Sequence, residues 1–153
     1  MWIIVLLVII AFLLKCMNSD KSIYGQGEKI KRMFVQSPWL EEIAKGKKTT
    51  EGRVGPDGKY QNWVGDEVIF FNNTLEVQAK VIKVVHYDNL ESYLDGEGWE
   101  KCAPHLNSKE DAVKAYQAIM MDGGKTQVFS DERISKEGGI NAIRLELRRP
   151  NDN

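Results

Sequence analysis

The chain has 153 residues, 42% hydrophobic and 28% charged, with a net charge of −1. That composition excludes disordered and fibrous classes, and a balance this close to neutral excludes a general affinity for polyanions. The charge is unevenly placed, however: residues 29–59 hold eight Lys/Arg against four Asp/Glu, and residues 86–111 hold two against seven.

Met1 to Leu14 is an unbroken apolar run. As a helix it spans about 21 Å, against about 30 Å of hydrocarbon. Lys15 with its ammonium snorkelling, then Cys16 and Met17, extend it to about 25 Å, a feasible span with local thinning. No basic segment precedes the run and no small-x-small site follows it, which argues against the alternative, secretion after signal-peptide cleavage. The expectation is a single-pass membrane anchor over residues 1–17, contacting lipid through residues 2–14. Lys15, Lys21, Lys29, Lys31 and Arg32 all flank it on the C-terminal side, which places the domain on the cytosolic face. Cys16 and Cys102 are the only cysteines and form no disulfide framework, so both are read as free thiols. His86 and His105 stand alone; with no Cys/His cluster at metal-ligand spacing, neither a metal nor a cofactor is predicted.

Residues 18–28 are polar and read as a tether. Ile30 to Val35 is a predicted strand, and Ser37-Pro38 a helix start with Ser37 as N-cap. Trp39, Leu40 and Ile43 share one face of a short helix that Gly46 stops, which makes Trp39 a core residue. Gly46-Lys47-Lys48-Thr49-Thr50-Glu51-Gly52-Arg53 follows. In a strand Glu51 and Arg53 point to one face, because side chains alternate with a period of two. Lys48 joins them only if the strand begins after it and Lys48 sits in the turn opened by Gly46. The result is a polar cluster of both signs, or else an exposed loop with a surface ion pair contributing about 0–1 kcal/mol.

Gly55-Pro56-Asp57-Gly58 is a predicted turn. Asp66 to Phe71 and Leu75 to Tyr87 are predicted strands joined at Asn72-Asn73, which suit a hairpin turn and also form a glycosylation sequon with Thr74. Leu75, Val77, Ala79 and Val81 alternate with polar residues, and Ile82, Val84 and Val85 break the alternation, which signals either a bulge or deeper burial. Ser108 and Asp111 start the clearest helix in capping-box fashion. Its stripe of Ala112, Val113, Tyr116, Ile119 and Met120 is core packing, and Asp122-Gly123-Gly124 ends it. Ile143, Leu145 and Leu147 alternate with Arg144, Glu146 and Arg148 in a final strand whose charged face suits a sheet edge. Strands interrupted by two or three helices make an α+β domain.

Gly46, Lys48, Glu51 and Arg53 fill a G-x-K-x-x-E-x-R pattern, and Gly65-Asp66 precedes a strand. With Ser37-Pro38-Trp39-Leu40, Val84-Val85-His86-Tyr87, Pro104, Ser108 to Val113 and Gly139 to Ile143, the chain resembles the activating-signal-cointegrator homology (ASCH) domain over residues 29–148. The resemblance implies a small mixed PUA-like β-barrel, here preceded by the transmembrane helix and followed by a tail at 149–153. It also implies a cleft that binds RNA or a nucleotide beside the motif. There Lys48 and Arg53 would face phosphate or a carbonyl, Glu51 would accept from a base amino group, and Trp63 or Tyr60 would stack on a base. The alternative for Trp63 is core packing. Some small proteins similar to this family hydrolyse acylated cytidine, using a lysine and a threonine three residues apart with a glutamate elsewhere. Lys48 matches, but Glu51 stands in the threonine position, Thr49 and Thr50 are out of register, and Glu100 is the candidate glutamate. A carboxylate cannot replace a hydroxyl nucleophile, so no catalytic residue is assigned. The readings are ordered as binding module, then nucleoside-processing hydrolase, then membrane-held scaffold.

Overall fold

The computed structural model describes residues 30–148. In chain order they form β1 (Lys31–Phe34), α1 (Trp39–Ala44), β2 (Thr50–Val54), a 3-10 turn (Gln61–Trp63), β3 (Glu67–Phe71) and β4 (Glu76–Tyr87). Then come α2 (Leu90–Glu97), α3 (Trp99–Cys102), α4 (Lys109–Ala118), β5 (Met120–Met121), β6 (Thr126–Gln127), α5 (Asp131–Glu137) and β7 (Ile140–Leu147). Five strands make one mixed sheet in the order β1-β3-β4-β7-β2, with β1 parallel to β3 and the other pairs antiparallel. β5 and β6 pair separately.

The fold-class expectation needs correction on two points. No helix among the described residues is long and apolar enough to cross a membrane, so the transmembrane part of the expected fold finds no support. The expected anchor (1–17), the tether (18–28) and the tail (149–153) lie outside the described residues. The barrel is also open, because β1 and β2 are the two ends of the sheet and share no ladder. It is an α+β half-barrel, with five helices among the described residues where two or three were expected.

The core follows from the alternation. Val77, Ala79 and Val81 of β4 are buried while Glu76, Gln78 and Lys80 are exposed. The β4–β7 register shifts between Val81 and Lys83, and this bulge turns Ile82 outward, 48% exposed. Beyond it, β4 continues against β7 as far as Tyr87, opposite Ile140. The hairpin between β3 and β4 is held by Asn72, whose Oδ1 accepts from the N–H groups of Thr74 and Leu75, both at 2.9 Å. Gly65 turns the chain into β3 with φ 94°, and Asp66 pairs with Lys31, the first residue of β1. The Gly-Asp of the motif is thus a structural hinge between strands.

Three further expectations change in detail. Pro38, after a cis bond, occupies the α1 N-cap position, and the Ser37 hydroxyl donates to the Glu41 carboxylate at 2.5 Å instead of capping the backbone. Helix α4 is capped as expected, Ser108 Oγ accepting from Asp111 N–H at 3.0 Å, but it ends at Ala118. Ile119 is already extended, and its carbonyl accepts from Val128 N–H at 2.9 Å, because the β5–β6 hairpin competes successfully for those backbone groups. β7 lies between β4 and β2 instead of at an edge. The guanidinium of Arg144 is not an edge guard: it donates to both oxygens of Glu97, at 2.8 and 3.0 Å.

Glu97 is the charged anchor under the helical side of the sheet, its side chain 1% exposed. Besides Arg144 it accepts from Tyr87 Oη at 2.7 Å and Thr50 Oγ1 at 3.2 Å. Burial alone would raise its pKa, but the hydrogen bonds from Arg144 and Tyr87 outweigh burial and hold the carboxyl below its usual range. Burial, joined by the bond to Glu97, pushes the Tyr87 phenol up to about 12. Because the folded-state pKa of Glu97 lies below the unfolded one, its contribution to stability is complete above about pH 4.3 and is lost as pH falls through the folded value. Urea midpoints measured between about pH 3 and 7 should therefore fall on the acid side of that window, and the fall should be shallower in Glu97→Gln. Parallel profiles for the two proteins would show that Glu97 gains nothing from its partners.

Candidate functional site

The motif is built where α1 ends. Gly46 takes φ 72°, and the N–H groups of Lys47 and Lys48 then both donate to Glu42 O at 3.0 Å, which reverses the chain before β2 begins at Thr50. Lys48 sits in that turn and swings under the strand. Its ammonium lies 3.2 Å from Glu51 Oε2, and Glu51 Oε1 lies 3.0 Å from Arg53 Nη2. The three motif charges therefore meet, with Glu51 bridging two cations.

Their exposures differ sharply. The Lys48 side chain is 0% exposed. Its ammonium also donates to the carbonyls of Thr50 and Cys102, each at 2.6 Å, and lies 5.2 Å from the centroid of Trp39. Two N–H donors of Lys48 are thus taken by backbone carbonyls, and its charge is paired with Glu51. The phosphate-facing role expected for it does not fit this burial; it ties the start of β2 to α3. Beside it the Cys102 thiol is buried, and burial pushes its pKa up to about 11. Glu51 is nearly buried, and Arg53 keeps 29% of its side chain exposed. Arg53 Nη2 donates to the Phe34 carbonyl, which joins the open edges β1 and β2, while Arg53 Nε is buried without a hydrogen-bond partner.

A cavity of about 250 Å³ opens at this seam. One wall is Phe34, Val35 and Gln36 of the β1 exit, with Trp39 below; the other is Glu51, Gly52, Arg53 and Val54 of β2. Tyr116 and Phe129 close it from the helical side, and Ile119, Met120, Met121 and Val128 from the β5–β6 hairpin. Trp39, Tyr116 and Phe129 are buried, while Phe34 and Met120 stand half-exposed at the rim. Phe34 is held edge-on against Phe71, the ring centroids 5.9 Å apart. The chamber is therefore apolar and aromatic, with one carboxylate and one guanidinium on its β2 wall.

Two of the four expected site residues, Glu51 and Arg53, line this cavity; Lys48 lies beneath it and Trp63 elsewhere. Trp63 is half-buried in the 3-10 turn, edge-on to Tyr60 at 5.0 Å, and packs against the core. Glu100 is exposed on α3. Thr49 and Thr50 belong to a separate polar hollow with Glu97, Lys101 and Arg144. Spacing had assigned Ile119 and Met120 to a helix stripe; the Asp122-Gly123-Gly124 turn that follows was the available sign of a hairpin.

The chain matches the family model of the ASCH domain over residues 33–148. It is similar to a solved structure described as hypothetical protein PH0355, at 31% identity and a TM-score of 0.61, covering 76% of this chain and 97% of that one. It is also similar to protein PF0455 from Pyrococcus furiosus, solved in solution, at 27% identity and a TM-score of 0.52, covering 76% of this chain and 96% of that one. No curated protein matches the chain. The shared fold over nearly the whole length of both solved relatives, and the family match across the motif and both walls of the cavity, make this chain a member of the ASCH domain family.

Proposed function

We propose that the cavity at the β1–β2 seam binds a nucleobase, presented either by single-stranded RNA or by a free nucleotide. The observation that carries the reading is the Glu51–Arg53 pair on the wall of a chamber that is otherwise apolar and aromatic except for Gln36. An apolar pocket with a few convergent polar groups is the common form of a small-ligand site. Aromatic faces take up a base by stacking, and a carboxylate beside a guanidinium reads its edge. ASCH membership supports an RNA partner, since the family's PUA-like fold is often linked to RNA binding. Of the three motif charges Arg53 is the one with appreciable exposure, so contact with a ligand phosphate or carbonyl falls to Arg53 and not to Lys48.

The test is a titration of the chain with short RNA and with mononucleotides. Glu51→Gln should weaken binding by about 1–3 kcal/mol if the carboxylate accepts from a base. Tighter binding after that change would mean that Glu51 merely repels phosphate. Arg53→Lys should not rescue Arg53→Ala, because lysine has no planar fork and no Nε donor.

A further inference from the structure

Two side chains that line the cavity have hydrogen-bonding capacity that the protein leaves unused. Arg53 Nε is buried and has no partner. A buried donor without an acceptor is costly, so its presence on a residue that lines the cavity argues for an acceptor supplied from outside. Glu51 is the second. A carboxylate offers about four acceptor positions. Lys48 pairs with Oε2 and Arg53 with Oε1, and neither oxygen has a further side-chain partner among the described residues. Glu51 can thus receive two parallel N–H groups, one per oxygen, next to a donor that needs an acceptor.

From this pattern we infer that the base read in the cavity is guanine, an inference that rests on the nucleobase reading above. Guanine offers O6 as an acceptor with N1–H and the N2 amino group beside it on one edge. O6 would take the Arg53 Nε proton, and the two N–H groups would fall on the two oxygens of Glu51. The other standard bases match less well. Adenine and cytosine each bring a single donor group beside one ring acceptor and leave half of the Glu51 capacity unused. Uracil has one N–H between two carbonyls, so its second carbonyl would face the carboxylate. Phe34 and Met120 at the rim supply the stacking and sulfur contacts for the ring. A chamber of about 250 Å³ holds one base and leaves its sugar outside, so the inference covers both a guanine nucleotide and a guanine in a strand.

Guanosine and inosine monophosphates differ only in the N2 amino group, and they form the decisive pair. The chain is titrated calorimetrically with GMP, IMP, AMP, CMP and UMP, and in a second arm with the tetranucleotides UUGU, UUIU, UUAU, UUCU and UUUU. GMP should bind roughly tenfold or more tightly than IMP, the worth of one charge-assisted hydrogen bond, with AMP, CMP and UMP weaker still. Glu51→Gln should remove the difference between GMP and IMP. A preference seen only among tetranucleotides assigns the site to RNA; one seen equally among mononucleotides assigns it to the free nucleotide, and either supports the inference. Equal binding of GMP and IMP, or tighter binding of CMP or AMP, overturns guanine and leaves the nucleobase site standing. No binding in either arm overturns both.

Discussion

Lys48→Ala should unfold the domain roughly 10 °C or more below the parent. The ammonium is fully enclosed, pairs with Glu51 and satisfies the carbonyls of Thr50 and Cys102. Its removal strands the Thr50 carbonyl, leaves Cys102 O with only the Tyr116 hydroxyl at 3.4 Å and takes one cation from Glu51, and breaking a buried pair in this way costs about 3–5 kcal/mol. For a domain of this size each kilocalorie is worth about 3–6 °C in Tm. Lys48→Met, which keeps the stem beneath Trp39, should recover only a small part, because packing is not what is lost. Thermal unfolding followed by circular dichroism measures both. A loss below about 1 kcal/mol would mean that water reaches the ammonium and that the turn is merely a surface loop.

Gly52→Ala should cost about 3 kcal/mol, at the upper end for overpacking a filled interior. A methyl group at Gly52 would lie 2.8 Å from Tyr93 Oη and 2.9 Å from Cζ. Tyr93 cannot give way: it is 0% exposed, and its hydroxyl lies 3.0 Å from that of Tyr116. Adding Tyr93→Phe removes the nearest atom and should return part of the loss, with the remainder charged to the ring. A change within about 0.5 kcal/mol in urea unfolding would show that the tyrosine pair has room to shift. Gly52 separates Glu51 from Arg53 in the motif, so its small size brings the tyrosine pair close behind the wall that carries the two charges.

Local chemistry made much of this legible in advance. The period of two put Glu51 and Arg53 together, and the same argument required Lys48 to precede the strand, where Gly46 places it. Ser108 as a cap, Asn72 as a hairpin residue and the break after Val81 are all short-range signals, and each has its counterpart in the fold. What stayed hidden depends on neighbours distant in sequence. Charge alone could not say that Lys48 would be enclosed, since Cys102 brings the covering carbonyl from 54 positions away. Glu97 is one of seven acidic residues in 86–111, and nothing close to it in sequence marks it for burial; Arg144 and Tyr87 reach it from two different strands. Alternating charges on the last strand suggested an edge, whereas the strand has partners on both sides. Helical spacing likewise claimed Ile119 and Met120, which the β5–β6 hairpin carries off to the cavity.

The position of β2 has a consequence for the order of assembly. Among the described residues its one ladder is with β7, where Glu51 stands opposite Ile143 and Arg53 opposite Asn141. While the chain is being synthesised, the motif leaves the ribosome early but has no strand to lie against until residues 140–147 follow. A pairing across that separation bears a large loop-closure cost and forms slowly. The nascent domain therefore exposes Glu51, Arg53 and the apolar seam beside them for several seconds at ordinary translation rates of about 5–20 residues per second. The cavity wall formed by β2 is among the last parts of the molecule to be completed, so a chain that stops short of β7 keeps the whole motif and lacks the strand that positions it.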